Sequence, residues 1–191
     1  MSKYIVFDVE TTGLPKNYNA SPKLFNLWPH IVQFSWILCE ENKTIEKSFI
    51  IKPNNYFIPK ESTKIHNITN EYAISNGTSL EIVLQLFKED CCKVDYIVAH
   101  NASFDINVIM ASCYRIKNDI DFLKDKKTIC TMKSTTNLCK LPGKYGYKYP
   151  KLEELFIFLF KEKPNIKLHN SLEDSRVTLK CYKELINLKM I

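Results

Sequence analysis

Residues 4–10 read Tyr-Ile-Val-Phe-Asp-Val-Glu. The run is aromatic and β-branched, with the alternation of a strand. Side chains two apart on a strand point the same way, so Val6, Asp8 and Glu10 share one face and Ile5, Phe7 and Val9 the other. Two carboxylates therefore stand side by side at the end of an apolar strand. Like charges at that spacing resist joint ionisation, and a divalent cation relieves the conflict. The alternative is that both acids face solvent at the start of the loop. Apolar residues on both faces ahead of them argue against it.

Working outward, Ile31–Cys39 and Thr44–Lys52 read as further strands, joined by the short turn Glu41-Asn42-Lys43 as an antiparallel hairpin. Thr11–Pro29 is a polar loop. Ser79 caps a helix over Leu80–Cys92, whose Leu80, Val83, Leu84, Phe87 and Cys91 form one apolar stripe. Tyr96–Ala99 is a short strand and Phe104–Ile116 a helix. Asp119–Tyr149 is irregular, with a strand at Thr128–Cys130 and a short helix at Met132–Cys139. Pro150 opens a helix over Lys151–Lys161, and Ser171–Lys189 is the last helix. This order predicts an α/β fold, a mixed five-stranded sheet with helices on both faces. At 191 residues, without repeat or linker, the chain reads as a single domain over 1–191.

Composition narrows the class. No apolar run reaches the roughly 18 residues of a membrane span, and the amino terminus enters a strand at once, unlike a signal peptide. Seven cysteines, odd in number and without a C-x-x-C pair, read as reduced thiols in a cytoplasmic protein. The net charge is +6, and only Arg115 and Arg176 are arginines. A lysine charge suits phosphate attraction better than base reading.

Three further residues carry chemistry. Asp105 follows the strand Tyr96–Ala99 in the first helical turn, at the sheet edge where ligands bind in such folds. The helix dipole also favours an acid there for purely structural reasons. Asp174 lies on or beside the stripe Val177, Thr178, Cys181, Leu185 and Leu188, and a carboxylate facing the interior needs a partner. His169 lies five residues before it. Imidazole is the side chain that exchanges a proton near neutrality, and it can serve an attacking water.

Together the segments YIVFDVETTGL, IVAHNASFDINVI and HNSLEDSRVTLKCYKEL resemble, in order, the three exonuclease motifs of the DEDD superfamily. The spacing from His169 to Asp174 resembles its histidine branch, DEDDh, which holds the proofreading subunit of bacterial DNA polymerase III, ribonuclease T and the TREX nucleases. The resemblance runs from about Tyr4 to Leu185. It implies a ribonuclease H-like fold and a metal-dependent 3′→5′ exonuclease that releases nucleoside 5′-monophosphates from DNA or RNA. Asp8, Glu10, Asp105 and Asp174 would hold two Mg²⁺ or Mn²⁺ ions, and His169 would be the general base. Oxygen-only ligation suits those hard cations.

The segment STKIHNITNEYAISNG resembles the branch's substrate stretch. It implies a pocket in which Thr11 meets the 3′ hydroxyl and Leu14 and Ile65 pack on the last base. His66, Asn101 and Phe104 would line the sugar and scissile phosphate. Partners implied are single-stranded 3′ ends, with a homodimer or a polymerase association left open. The rival is an inactive nucleic-acid- or protein-binding module on the same fold, which has no need of all five catalytic positions.

Two features depart from the family or add to it. Ser171 and Ser175 stand where alanine is common. Lys140–Lys151 interleaves Lys140, Lys144, Lys148 and Lys151 with Tyr145, Tyr147 and Tyr149. Such a mixture suits stacking on a single strand, or equally a solvated loop with its tyrosines packed down.

Overall fold

Alternation in residues 4–10 makes a central strand. The computed structural model describes all residues except 1, 42, 125 and 167. In it β1 (Tyr4–Thr11) lies in the middle of a five-stranded sheet. β2 (Ile31–Glu40) pairs antiparallel with β1, and β3 (Lys43–Ile50) antiparallel with β2 from the Glu40–Lys43 pair onward. The expected hairpin is therefore present; Asn42 of its turn lies outside the described residues. Between β1 and β2 a single 3₁₀ turn, Phe25–Leu27, interrupts the loop.

α1 (Lys60–His66), α2 (Asn70–Asn76) and α3 (Leu80–Cys91) follow, then β4 (Tyr96–Ala99) and α4 (Ala102–Arg115). Next come α5 (Asp121–Lys124), β5 (Lys127–Cys130), α6 (Thr131–Ser134), α7 (Thr136–Cys139) and a two-stranded hairpin, β6 (Pro142–Gly143) with β7 (Gly146–Tyr147). α8 (Leu152–Phe160) and α9 (Ser171–Asn187) complete the chain. β4 and β5 run parallel to β1, giving the mixed order β3-β2-β1-β4-β5.

Several elements differ from the sequence reading. The 3₁₀ turn, α1, α2, α5 and the β6–β7 hairpin were not anticipated, and Met132–Cys139 is two short helices, broken at Thr135. α1 and α2 span seven residues each, too short for a periodic stripe to show. Asn67 ends α1 in the left-handed region, and Thr69 caps α2 by accepting the Tyr72 N–H.

The two faces of β1 divide the core as the alternation requires. Ile5, Phe7 and Val9 join Phe34, Trp36, Leu38 and Ile97 against Val83, Leu84 and Phe87 of α3 and Val108 and Ile109 of α4. Val6 and Val98, on the other face, pack on Tyr182 of α9. α8 packs on the outer side of α9 through Leu155, Phe156, Val177, Cys181 and Leu185. Leu188, expected on the α9 stripe, is instead exposed past the helix end. All seven cysteines are free thiols, four of them buried. Among the described residues no helix is long and apolar enough to cross a membrane.

One buried charge pins α3 to the sheet. Asp90 accepts from the Trp36 indole (2.9 Å), Lys47 (2.6 Å) and Lys93 (2.9 Å). Burial raises its pKa, but these donors outweigh burial and hold the carboxyl below its ordinary value. A depressed carboxyl stabilises above the unfolded pKa, and that contribution is lost as pH falls through the folded value. Asp90→Ala leaves the Trp36 N–H buried and unsatisfied and should cost about 2–4 kcal/mol near neutral pH. Denaturant unfolding should show the gap closing as pH falls toward 3. A gap that persists unchanged there would show that apolar packing, not charge, carries the contact.

Candidate active site

Three chain segments deliver acids to one place. Asp8 and Glu10 come from the end of β1, where the pairing with β2 shifts register between Glu10 and Thr11. Such irregularities re-aim side chains. Asp105 comes from the first turn of α4 and Asp174 from the first turn of α9. Both helices are preceded by non-glycine residues in the left-handed region, Asn101 (φ 72°) and His169 (φ 72°). Asn and His tolerate that conformation better than most residues. The sharp bend it permits brings both helix starts onto the β1 edge.

The resulting cleft, about 360 Å³, is lined by Asp8, Val9, Glu10, His100, Asn101, Phe104, Asp105, Leu152, His169 and Asp174. All four predicted carboxylates and the predicted histidine thus meet. Thr11, Leu14, Ile65 and His66 do not line it. The Thr11 hydroxyl donates to the Gly13 carbonyl (2.7 Å). Leu14 borders a shallow neighbouring pocket with Thr12 and Lys16, and its side chain is 74% exposed. Ile65 is 52% exposed on α1. His66 is buried beside it; its Nδ1 accepts the Ile68 N–H (3.1 Å), and it borders a second cavity that also reaches His169.

The electrostatics are those of crowded acids. Burial, then the charges of Asp105, Asp174 and Glu10, push the Asp8 carboxyl well above its ordinary pKa. Burial and Asp174 raise Glu10 to about 8. Asp105 is raised by burial above all, against the pull of the backbone N–H groups of Asp105 and Val9. Asp174 is raised by burial to about 6, although the His169 N–H donates to its Oδ2 (3.1 Å) and lowers it. Asp105 Oδ2 and Asp174 Oδ1 are buried without a hydrogen-bond partner among the described residues. Buried acceptors in that state call for a ligand. Glu10, His169 and Asp174 each bring one ligand atom within 4.8 Å of the other two, a spacing that a metal ion can bridge. The donor set, mostly carboxylate oxygen, fits a hard divalent cation.

Behind the acids a polar relay runs from the buried Ser171, Gln33 and Ser35 out to the exposed Ser48. The Ser171 N–H donates to Gln33 Oε1 (3.1 Å), the Ser171 hydroxyl meets that of Ser35 (2.6 Å), and the Ser35 hydroxyl donates to that of Ser48 (2.8 Å). Asn170 caps α9 by accepting from Leu172 and Glu173. These bonds fix the start of α9, and with it Asp174, against β2. They also give a role to Ser171.

His100 and Leu152 went unnoticed in the sequence. His100 Nε2 donates to the Pro150 carbonyl (3.0 Å), since a carbonyl can only accept. Nδ1 is therefore free to accept from the Thr131 hydroxyl (3.0 Å). Burial lowers its pKa to about 4, so the ring is neutral. It ties the β4 end to the start of α8, which carries Leu152 into the cleft. The signal was present, because His100 adjoins Asn101 at the same sheet edge as Asp105.

A model of the exonuclease family (RNase_T) matches residues 5–182. The chain belongs to the exonuclease family. The DEDD-type 3′→5′ resemblance in its motifs is thereby supported, and the family implies use of a divalent metal. The chain is 34% identical over 117 residues to a PolC-type DNA polymerase III of Streptococcus pneumoniae, covering 59% of this chain and 7% of that protein. It is 30% identical over 149 residues to the PolC-type polymerase of Staphylococcus aureus, covering 75% of this chain and 10% of the relative. Among solved structures, E. coli Exonuclease I in complex with a dA16 oligonucleotide superposes with a TM-score of 0.75 at 18% identity. That match covers 100% of this chain and 42% of the other. At that identity it speaks to the fold, a ribonuclease H-like sheet. The chain spans no more than a tenth of the length of these polymerase relatives and 42% of the Exonuclease I chain.

Raised carboxyls destabilise as pH rises. Their native forms keep protons that the unfolded chain has lost, so stability is full below the unfolded pKa near 4 and falls as pH climbs through about 6 for Asp174 and about 8 for Glu10. In chelator, Asp105→Asn should therefore stabilise the protein at pH 8 by about 1 kcal/mol or more, and by much less at pH 4. Urea unfolding of both proteins at the two pH values checks this. A loss of stability at pH 8 would contradict the repulsion.

Proposed function

We propose that residues 1–191 form a single exonuclease domain that hydrolyses the 3′-terminal phosphodiester of DNA or RNA in the 3′→5′ direction, releasing nucleoside 5′-monophosphates. The observation that carries this reading is the convergence of Asp8, Glu10, Asp105, Asp174 and His169 on one cleft with two buried, unpartnered carboxylate oxygens. Asp8, Glu10 and Asp174 would hold one divalent cation, and Asp8 with Asp105 would hold a second, Mg²⁺ or Mn²⁺ in each place. Bound cations supply the positive charge that stabilises the entering and leaving oxygens of an in-line displacement.

The chain's own groups do the rest. His169 is exposed at the cleft mouth, its backbone held by the N–H bond to Asp174. From there its imidazole takes the proton of the attacking water. The leaving group is the 3′ oxygen of the penultimate nucleotide. Phe104 and Asn101 border the sugar and scissile phosphate. Leu14 and Ile65, exposed rather than packed in the core, are available to cover the last base, with His66 and the Thr11 backbone beside them. The dA16 complex of Exonuclease I supports single-stranded 3′ ends as substrate. The PolC-type relatives favour association with a polymerase over a homodimer. Seven free thiols support a cytoplasmic setting.

The test is digestion of 5′-labelled oligomers with Mg²⁺, Mn²⁺ or chelator. A ladder descending from the 3′ end is expected, blocked by a 3′-phosphate and abolished by chelator. Asp8→Asn should lose cation binding and activity together. His169→Ala should keep cation binding while its single-turnover rate falls roughly 10²–10⁴-fold. Full activity in excess chelator, or release of the labelled mononucleotide first, would overturn the reading. A His169→Ala rate within about threefold of wild type would remove His169 from it.

A further inference from the structure

We propose that the β6–β7 hairpin with its flanks, Lys140–Lys151, is a binding platform for single-stranded nucleic acid outside the catalytic cleft. The inference rests on the exonuclease reading for the polarity of the strand, but its binding chemistry stands on the hairpin alone.

The tyrosines are not packed down. Tyr145 is 90% exposed, Tyr147 52% and Tyr149 58%. Three large aromatic side chains in one short exposed stretch mark an interaction surface. The charge around them has one sign. No acid occurs between Lys140 and Lys151. Lys148 is paired with Glu154, but among the described residues Lys140, Lys144 and Lys151 have no ion-pair partner. The Lys144 ammonium lies 5.1 Å from the Tyr145 ring centre, so charge and stacking face are presented together. Alternating lysines and tyrosines match the alternating phosphates and bases of an unpaired strand. A duplex hides its base faces and an apolar protein surface offers no phosphates, so neither matches both halves of the pattern.

The platform has a built shape. Gly143 pairs with Gly146 across the two-residue loop Lys144-Tyr145. Gly146 has φ +118°, which side chains rarely adopt. A Cβ on Gly143 would come within 3.0 Å of the Gly146 carbonyl and the Lys148 nitrogen. The Lys148 N–H closes the base onto the Leu141 carbonyl (3.0 Å). The hairpin is also fastened to the active site, because His100, a wall of the cleft, holds the Pro150 carbonyl. Pro150 lies five chain steps beyond Tyr145, so the tip lies within about 17 Å of that anchor. None of the three tyrosines lines the cleft, and the tip is within reach of a strand a few nucleotides long whose 3′ end occupies it.

The experiment measures binding without turnover. Fluorescence anisotropy in chelator compares wild type, Tyr145→Ala/Tyr147→Ala, Tyr145→Phe/Tyr147→Phe and Lys140→Ala/Lys144→Ala on 5′-labelled 12-mers of DNA and of RNA, and on a labelled dinucleotide. The double alanine variant should bind both 12-mers about 10-fold or more weakly, with unchanged melting temperature. The phenylalanine variant should bind like wild type, because it keeps the stacking faces. The lysine variant should show a shallower dependence of affinity on salt. Dinucleotide binding should not change. The proposal is overturned if the alanine variant binds 12-mers within twofold of wild type, which would assign the hairpin to a partner other than nucleic acid. It is also overturned if 12-mer and dinucleotide weaken equally. A protein that binds strands through these tyrosines yet digests nothing would refute the exonuclease reading and leave the platform standing.

Discussion

Four carboxylates crowded into one desolvated cleft are the constraint on which the rest of the structure depends. Left to themselves Asp8, Glu10, Asp105 and Asp174 repel, and burial makes each reluctant to ionise. The fold holds them together regardless. Asp8 and Glu10 are fixed by the strand alternation of the central β1. Asp105 and Asp174 are fixed by two helix starts, where the dipole offsets part of the negative charge. The strain is stored in a site that a cation would relieve.

Rigidity behind the site is what makes such crowding tolerable. The serine and glutamine relay on β2 and β3 holds α9, and the His100 clamp joins β4 to α8. On the opposite face of the sheet, Phe7, Phe34, Trp36 and Phe87 form a close aromatic cluster with ring centroids 4.6–5.6 Å apart. Asp90 locks that cluster by holding the Trp36 indole. Polar bonds therefore set positions near the chemistry, while apolar packing carries stability away from it.

Much of this was legible in the chain. YIVFDVE displays its two faces directly because strand alternation is a local property, and Tyr96–Ala99 is found where its residues place it. Asp174 could be recognised because a helix repeats its stripe over many residues. What escaped was short or assembled from afar. α1 and α2 end before any period repeats, and the β6–β7 strands are two residues each. Leu152 enters the cleft through packing of a distant helix. Conversely, the pocket residues Thr11, Leu14, Ile65 and His66 came from resemblance and lie outside the cleft that the acids define. The tyrosines of Lys140–Lys151 had two readings in sequence, and their exposure excludes the packed one.

The most direct test of the central claim is a calorimetric titration of Mn²⁺ into the cation-free protein, followed by the melting temperature at saturation. The account predicts saturable binding of two ions per chain. It predicts a rise in melting temperature of roughly 5–10 °C at about a hundred times the dissociation constant, with both effects diminished in Glu10→Gln. Absence of saturable binding, or binding that leaves the melting temperature unmoved, would contradict it.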